Sequence, residues 1–271
     1  QGMWAASLRY HEGRFYICFV ANDTRKTYLY TSEKIDGPWK KQLIEGFYHD
    51  GSLLFDEDGR NYIVYGNDEI WITELNEDLT APKKDGLHRL LVSDHKNPEL
   101  GYEGSHIQKI NGYYYIFLVH SLRDRWMRTE ACFYSDSLEG EFTGGDVLCD
   151  DRGYCGQGVA QGGIVDTPDG KWYAMLFQDS GAVGRIPILL PITWKDHFPF
   201  FGQNGHVPEE IEVHSTRPGY IYQPLVGSDD FCNGLLPRWQ FNHDPDPRYY
   251  HLDALQGTYT ITTREVCTEL T

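Results

Sequence analysis

The amino-acid sequence predicts an all-β protein of the β-propeller class. Three observations lead there. One strand–turn–strand pattern recurs four times, its copies start 46, 53 and 58 residues apart, and no stretch carries the apolar period of a long helix. The copies are residues 4–20 (WAASLRYHEGRFYICFV), 50–65 (DGSLLFDEDGRNYIVY), 103–119 (EGSHIQKINGYYYIFLV) and 161–177 (QGGIVDTPDGKWYAMLF). Each turns at an E-G, D-G or N-G pair, a hairpin signal, and continues into an aromatic-rich second strand. Spacings near 50 residues made of strand and turn fit propeller blades; helical solenoids do not read this way, and a two-sheet sandwich would not repeat one hairpin so regularly.

A second feature, S-x-x-x-x-G-x-[WF], follows two of the copies, at Ser32 to Trp39 and at Ser135 to Phe142, where it reads as an outer strand ending in a turn. From about Glu209 to Gln223 the repeat stops. At Ser228 a new style of short strands begins, with an aromatic pair at Trp239 and Phe241 and a strand expected from Thr258 to Thr262. Some 44 residues cannot bury a core of their own, so this segment reads as the opening of a second β domain.

Charge and composition narrow the function classes. Lys and Arg number 24 against 40 Asp and Glu, so the formal charge is 24 − 40 = −16. A surface this acidic repels phosphate backbones and argues against a nucleic-acid partner, while neutral polysaccharides meet no such penalty. No apolar run approaches the roughly 20 residues that span a bilayer, so no membrane partner is expected. The 19 Tyr and 7 Trp serve mostly as strand packing and leave some rings for sugar stacking. The six Cys contain no C-x-x-C pair, which argues against zinc. Most are expected to be buried small side chains, and Cys149 and Cys155 are close enough in sequence to bridge a loop. Residues 1–10 lack the pattern of a signal peptide. Location is not fixed by these residues, and a secreted or a periplasmic protein are both compatible with them.

In a propeller the innermost strand of each blade lines the axis, so residues at its start converge from different blades. Those positions hold Trp4, Asp50, Glu103 and Gln161: an aromatic, two acids and an amide. Acetal hydrolysis needs two carboxyl groups, one protonated to release the leaving group and one ionised to activate water or attack. Two acids at equivalent repeat positions supply that chemistry.

These residues resemble glycoside hydrolase family 43. The family's W-A-P-S motif is seen as Trp4-Ala5-Ala6-Ser7. Its D-P-S and F-x-D-D-G motifs are seen as Asp50-Gly51-Ser52 and Phe55-Asp56-Glu57-Asp58-Gly59. Its E-G-[PS]-H and N-G-Y-Y-Y motifs are seen as Glu103-Gly104-Ser105-His106 and Asn111-Gly112-Tyr113-Tyr114-Tyr115. The run from Gln161 to Gly170, then Gly184-Arg185-Ile186-Pro187 and Pro191 to Trp194, follow in the family's order. The resemblance implies a five-bladed propeller with its first blade absent from these residues. Residues 1–224 would form the catalytic domain and 225–271 the beginning of a C-terminal β-sandwich. It implies an inverting glycosidase of the β-xylosidase or α-L-arabinofuranosidase type, acting on plant cell-wall carbohydrate. Glu103 would be the general acid, and Asp50 the carboxylate that orients it and raises its pKa. Arg185, Trp4, His106 and Gln161 would contact the sugar, Arg185 through its fixed donor fork.

The sequence also departs from that pattern. The family's general base sits in an A-D-P motif on the first blade, upstream of Gln1, so the chain by itself is expected to be impaired. Alanine and glycine replace the family prolines at Ala6 and Gly51, which is expected to loosen those two strand starts. Some members hold calcium on the propeller axis, usually with a histidine, so the resemblance leaves calcium open here, with no metal ligand assigned. The rival reading is a carbohydrate-binding propeller that has lost its general base.

Overall fold

The structure, a computed structural model, describes residues 2–213, 217–221, 226–236, 239 and 246–263. Contacts divide the chain into two units, Gln1–Ile211 and Glu212–Thr271.

The first unit holds four antiparallel sheets of four strands, each wound in simple sequence order. Blade 1 is β1 (Ser7–His11), β2 (Arg14–Ala21), β3 (Lys26–Ser32) and β4 (Lys40–Ile44). Blade 2 is β5 (Ser52–Phe55), β6 (Asn61–Asn67), β7 (Glu69–Leu75) and β8 (His88–Ser93). Blade 3 is β9 (Glu103–Ile110), β10 (Tyr113–Ser121), β11 (Arg128–Ser135) and β12 (Thr143–Leu148). Blade 4 is β13 (Ala160–Asp166), β14 (Trp172–Asp179), β15 (Arg185–Lys195) and β16 (Phe198–Phe201). The four blades form a ring in which β1, β5, β9 and β13 are the innermost strands and touch in that order. The protein is an all-β propeller.

The expected hairpins close each blade's first two strands in two ways. Blades 1 and 3 use two-residue turns with both positions at positive φ, Glu12 and Gly13 at 46° and 79°, Asn111 and Gly112 at 51° and 86°. These are the mirror-image turns whose twist matches the strands. Blades 2 and 4 use three-residue loops closed by Asp56 N donating to Arg60 O and Thr167 N donating to Lys171 O. The S-x-x-x-x-G-x-[WF] motif ends the third strand of its blade, not the outermost: Ser32 closes β3 and Ser135 closes β11, with the fourth strand following the turn. Each serine hydroxyl accepts the N–H two residues on, that of Lys34 or Ser137.

One apolar cluster fills each interface between blades. Cys18, Leu29 and Ile44 pack on Tyr48, Leu53 and Ile63; Val64, Ile70 and Ile72 on Ile107, Ile116 and Leu118; Tyr115 and Phe117 on Ile164, Leu176 and Leu190. Strict alternation makes this arrangement, because every second side chain of a strand faces the next blade. Along the axis Arg9 joins three blades: Nε donates to Leu53 O at 3.1 Å, Nη2 to Ser52 Oγ at 2.6 Å and to Ile107 O at 2.9 Å.

The cysteines depart from expectation. Among the described residues only Cys18 and Cys132 are buried, while Cys149, Cys155 and Cys232 are exposed and free, so no bridge joins Cys149 to Cys155. Exposed thiols sit where loop backbone, rather than packing, sets the position. Cys267 lies outside the described residues, as does Phe241.

In the second unit β17 (Tyr250–Asp253) pairs antiparallel with β18 (Thr258–Ile261), close to the strand expected there. The Phe231 ring lies 5.7 Å from that of Trp239 and 5.8 Å from that of Tyr259. Among the described residues no helix is long and apolar enough to cross a membrane.

Candidate active site

The four inner strands all begin at one end of the axis, and the backbone there is unusual. Asp50 and Gln161 adopt φ of 47° and 67°, and Gly104 adopts 69°. A side-chain-bearing residue in that region costs about 1–3 kcal/mol and is held there by its surroundings. Register shifts occur at the same level, between Phe117 and Val119 opposite Glu103, and between Ala160 and Gly163. Bulges of this kind re-aim side chains. Glycine is required after Glu103, because a Cβ on Gly104 would sit 2.7 Å from Gln161 Cγ. Gly51 is not a loose strand start: it is buried, and a Cβ there would lie 2.9 Å from Ile63 Cδ1 and 3.1 Å from Tyr48 O.

Asp50 and Glu103 come together around an imidazole that the repeat pattern had not singled out. His49 Nε2 lies 3.4 Å from Glu103 Oε2 and 3.7 Å from Asp50 Oδ2. Facing atoms of His49, Asp50 and Glu103 all lie within 4.8 Å of one another. Asn67 Nδ2, at the end of β6, donates to the same Glu103 oxygen at 2.8 Å. Gln161 Nε2 donates to Asp50 Oδ2 at 3.4 Å. Trp4 meets the His49 ring edge-on, with centroids 5.1 Å apart. Counted from the serine of each head motif (Ser7, Ser52, Ser105), Asp50 and Glu103 occupy the same place, whereas Trp4 is level with His49.

The Asp50 carboxyl is held above its ordinary range. Burial is the largest cause and the Glu103 charge adds to it; the His49 and Arg185 charges and the Gly104 N–H act the other way. Burial works against protonation of His49, but the hydrogen bond to Glu103 and the two carboxylate charges outweigh it and hold the imidazole above its usual value.

Arg185 stands at the rim, its side chain 61% exposed, with Nε 3.1 Å from Asp179 Oδ1 and its guanidinium 4.5 Å above the Phe177 ring. The other oxygen of Asp179 accepts from the buried Arg128 at 2.9 Å, and Arg128 lies 4.5 Å over the same Phe177 ring. His106 lies deeper on the axis. Burial first, and the Arg9 charge second, push its imidazole down to about 3, so it is neutral. With Asp50, Gly104 and Gln161 it lines a cavity of about 10 Å³, room for one water-sized body.

The surroundings of His106 do not favour calcium on this axis, because the Arg9 guanidinium brings positive charge beside its imidazole.

Residues 1–199 match the family model described as glycosyl hydrolases family 43, and the chain belongs to that family. It is 27% identical to a β-xylosidase of Formosa agariphila, over 94% of this chain and 48% of that one. It is 24% identical to a non-reducing-end α-L-arabinofuranosidase of Bacteroides ovatus, over 95% and 51%. Among solved structures it superposes on a bifunctional GH43-CE protein of Bacteroides eggerthii with a TM-score of 0.82 and 41% identity, covering 99% of this chain and 35% of that one. The chain thus spans about half the length of the curated relatives it matches.

Proposed function

We propose that the chain carries the acid half of an inverting, exo-acting pentosidase site, which removes xylose or arabinose from plant cell-wall oligo- or polysaccharides. The observation that carries this reading is the convergence of Asp50 and Glu103, from equivalent places on adjacent blades, on one imidazole. Glu103 is the general acid that protonates the leaving oxygen. Asp50 is the buried partner that orients it and, through its own charge, favours the protonated form. Arg185, Trp4, His106 and Gln161 contact the sugar or line the space beneath it. That cavity has room for about one water-sized body, so in this reading the pentose lies above it, against Trp4 and Glu103.

Spacing supports a base outside these residues. An inverting acid and base stand roughly 6.5–9.5 Å apart to admit a water between base and sugar. Atoms of Asp50 and Glu103 within 4.8 Å leave no room for one, which suits a coupled pair and not an acid–base couple.

The finer fold reading is a five-bladed ring with one further blade, bearing the base, between blades 1 and 4. Two outward sheet faces support it. Blade 1 presents Leu8, Tyr10 and Leu43, between 41% and 64% exposed, and blade 4 presents Val165, Met175 and Phe200, between 49% and 52% exposed. Apolar side chains exposed on both faces are what a further blade would cover. Residues 225–271 are read as the start of a β-sandwich, on the strength of the β17–β18 pair.

The test is hydrolysis of aryl β-xylosides and aryl α-L-arabinofuranosides by this chain and by a longer one that includes the sequence upstream of Gln1. The longer chain is expected to turn over faster by at least the 10²–10⁴-fold of a positioned general base. Equal activity in the two would place the base within these residues. Pentoside binding without hydrolysis in the longer chain would favour the carbohydrate-binding propeller.

A further inference from the structure

Behind Asp50 lies a chain of polar contacts that reaches into blade 3. Arg128, the first residue of β11, is 3% exposed. Its Nη1 donates to Asp179 Oδ2 at 2.9 Å and its Nη2 to Gln161 Oε1 at 3.4 Å. Gln161 then donates from Nε2 to Asp50. Two residues along the same strand, Glu130 is fully buried and accepts the Gln161 backbone N–H through Oε2 at 2.7 Å. One strand of blade 3 therefore grips both the backbone and the side chain of Gln161.

An amide can present either its oxygen or its NH2 to a neighbour, and the two ends are nearly the same size. A guanidinium only donates. With Arg128 beside it, the Gln161 oxygen must face Arg128, and the NH2 is turned toward Asp50. Were the amide reversed, Asp50 would meet an acceptor and would need its own proton to bond to it.

We propose that Arg128 is a positioning residue that fixes the Gln161 amide with its donor toward Asp50, and so favours the ionised form of that carboxyl. This rests on the reading of Asp50 as the partner of the acid Glu103. The other groups acting on Asp50 are His49 on its own segment, Glu103 and the Gly104 N–H on β9, and Arg185 on β15. The neutral His106 shares its cavity, and blade 1 brings only Ala5, Ala6 and Ser7. None of these fixes the amide.

The test follows the Asp50 carboxyl by ¹³C NMR during a pH titration of the folded chain, in the native protein and in Arg128→Met, Gln161→Leu and the double variant. Each single variant is expected to raise the apparent pKa of Asp50, making its ionisation about tenfold weaker. The double variant is expected to match Gln161→Leu alone, because a relay through one amide cannot be broken twice. Arg128→Lys, which still donates, should recover part of the shift. Additive effects in the double variant would overturn the relay in favour of a direct charge effect. An unchanged Asp50 in Gln161→Leu would overturn it outright, and that variant alone decides if Arg128→Met does not fold. The titration needs no turnover, so the result stands apart from whether the longer protein hydrolyses pentosides.

Discussion

Two aspartates flank the strand β5, and they are opposites. Asp56, at its hairpin end, is 5% exposed, and Asp50, at its head, 8%. Asp56 is fully provided for: Lys109 Nζ and the Glu57 N–H donate to Oδ1, each at 2.7 Å, and Tyr114 Oη donates to Oδ2 at 2.5 Å. Burial alone would raise its pKa, but those donors and the Lys109 charge outweigh burial and hold it below the usual carboxylate range. Asp50 has only the long contact from Gln161, the Gly104 N–H and a half-shared imidazole, and burial holds it above that range. Six residues apart, one carboxylate clasps blade 2 to blade 3, and the other is left short of donors at positive φ. That contrast separates a group placed for stability from one placed for chemistry.

The contrast can be broken most sharply at Asp50. Asp50→Asn in the longer protein is expected to lower pentoside turnover by about 10²-fold or more. The same change is expected to raise stability at pH 7 by about 1 kcal/mol in urea melts. The sign follows from linkage. A carboxyl whose folded pKa is raised contributes most below its unfolded value near 3.9, and that contribution is lost as pH rises through the folded value. The gain from Asn should therefore vanish below about pH 4.

Asp56→Ala should do the reverse, costing about 2–3 kcal/mol of unfolding free energy at pH 7. Its effect on the pH dependence of turnover should be small. The depressed carboxyl stabilises above its unfolded pKa and loses that contribution as pH falls through its folded value. The difference between native and variant melts should narrow steadily below about pH 4, as at Asp50, but from a loss of stability instead of a gain.

Much of this was legible in the sequence because repetition exposes position. Four Gly-centred hairpins gave the blades, and counting back from each gave Asp50 and Glu103. The residues that serve them carry no such mark. His49 sits one place outside the repeat head, and Asn67 and Asp179 end second strands, where loops begin. Arg128 and Glu130 did leave a trace: two charged residues at alternate places in the otherwise buried β11, RTEACFYS, must share one face. A buried pair of that kind needs partners, and here the partners belong to the site. The cysteines misled because burial of a small side chain depends on where loops run, which no local pattern encodes.

The most direct measurement of the central claim concerns Glu103 as the acid. Turnover by the longer protein and by its Glu103→Ala variant should be compared on a pentoside with a good leaving group, such as nitrophenol, and on one with a poor leaving group, such as a xylo- or arabino-oligosaccharide. A general acid matters most when the leaving oxygen needs the proton. The variant is therefore expected to lose about 10²–10⁴-fold on the oligosaccharide and much less on the nitrophenyl substrate. Equal losses on both, or no loss on the oligosaccharide, would contradict the assignment.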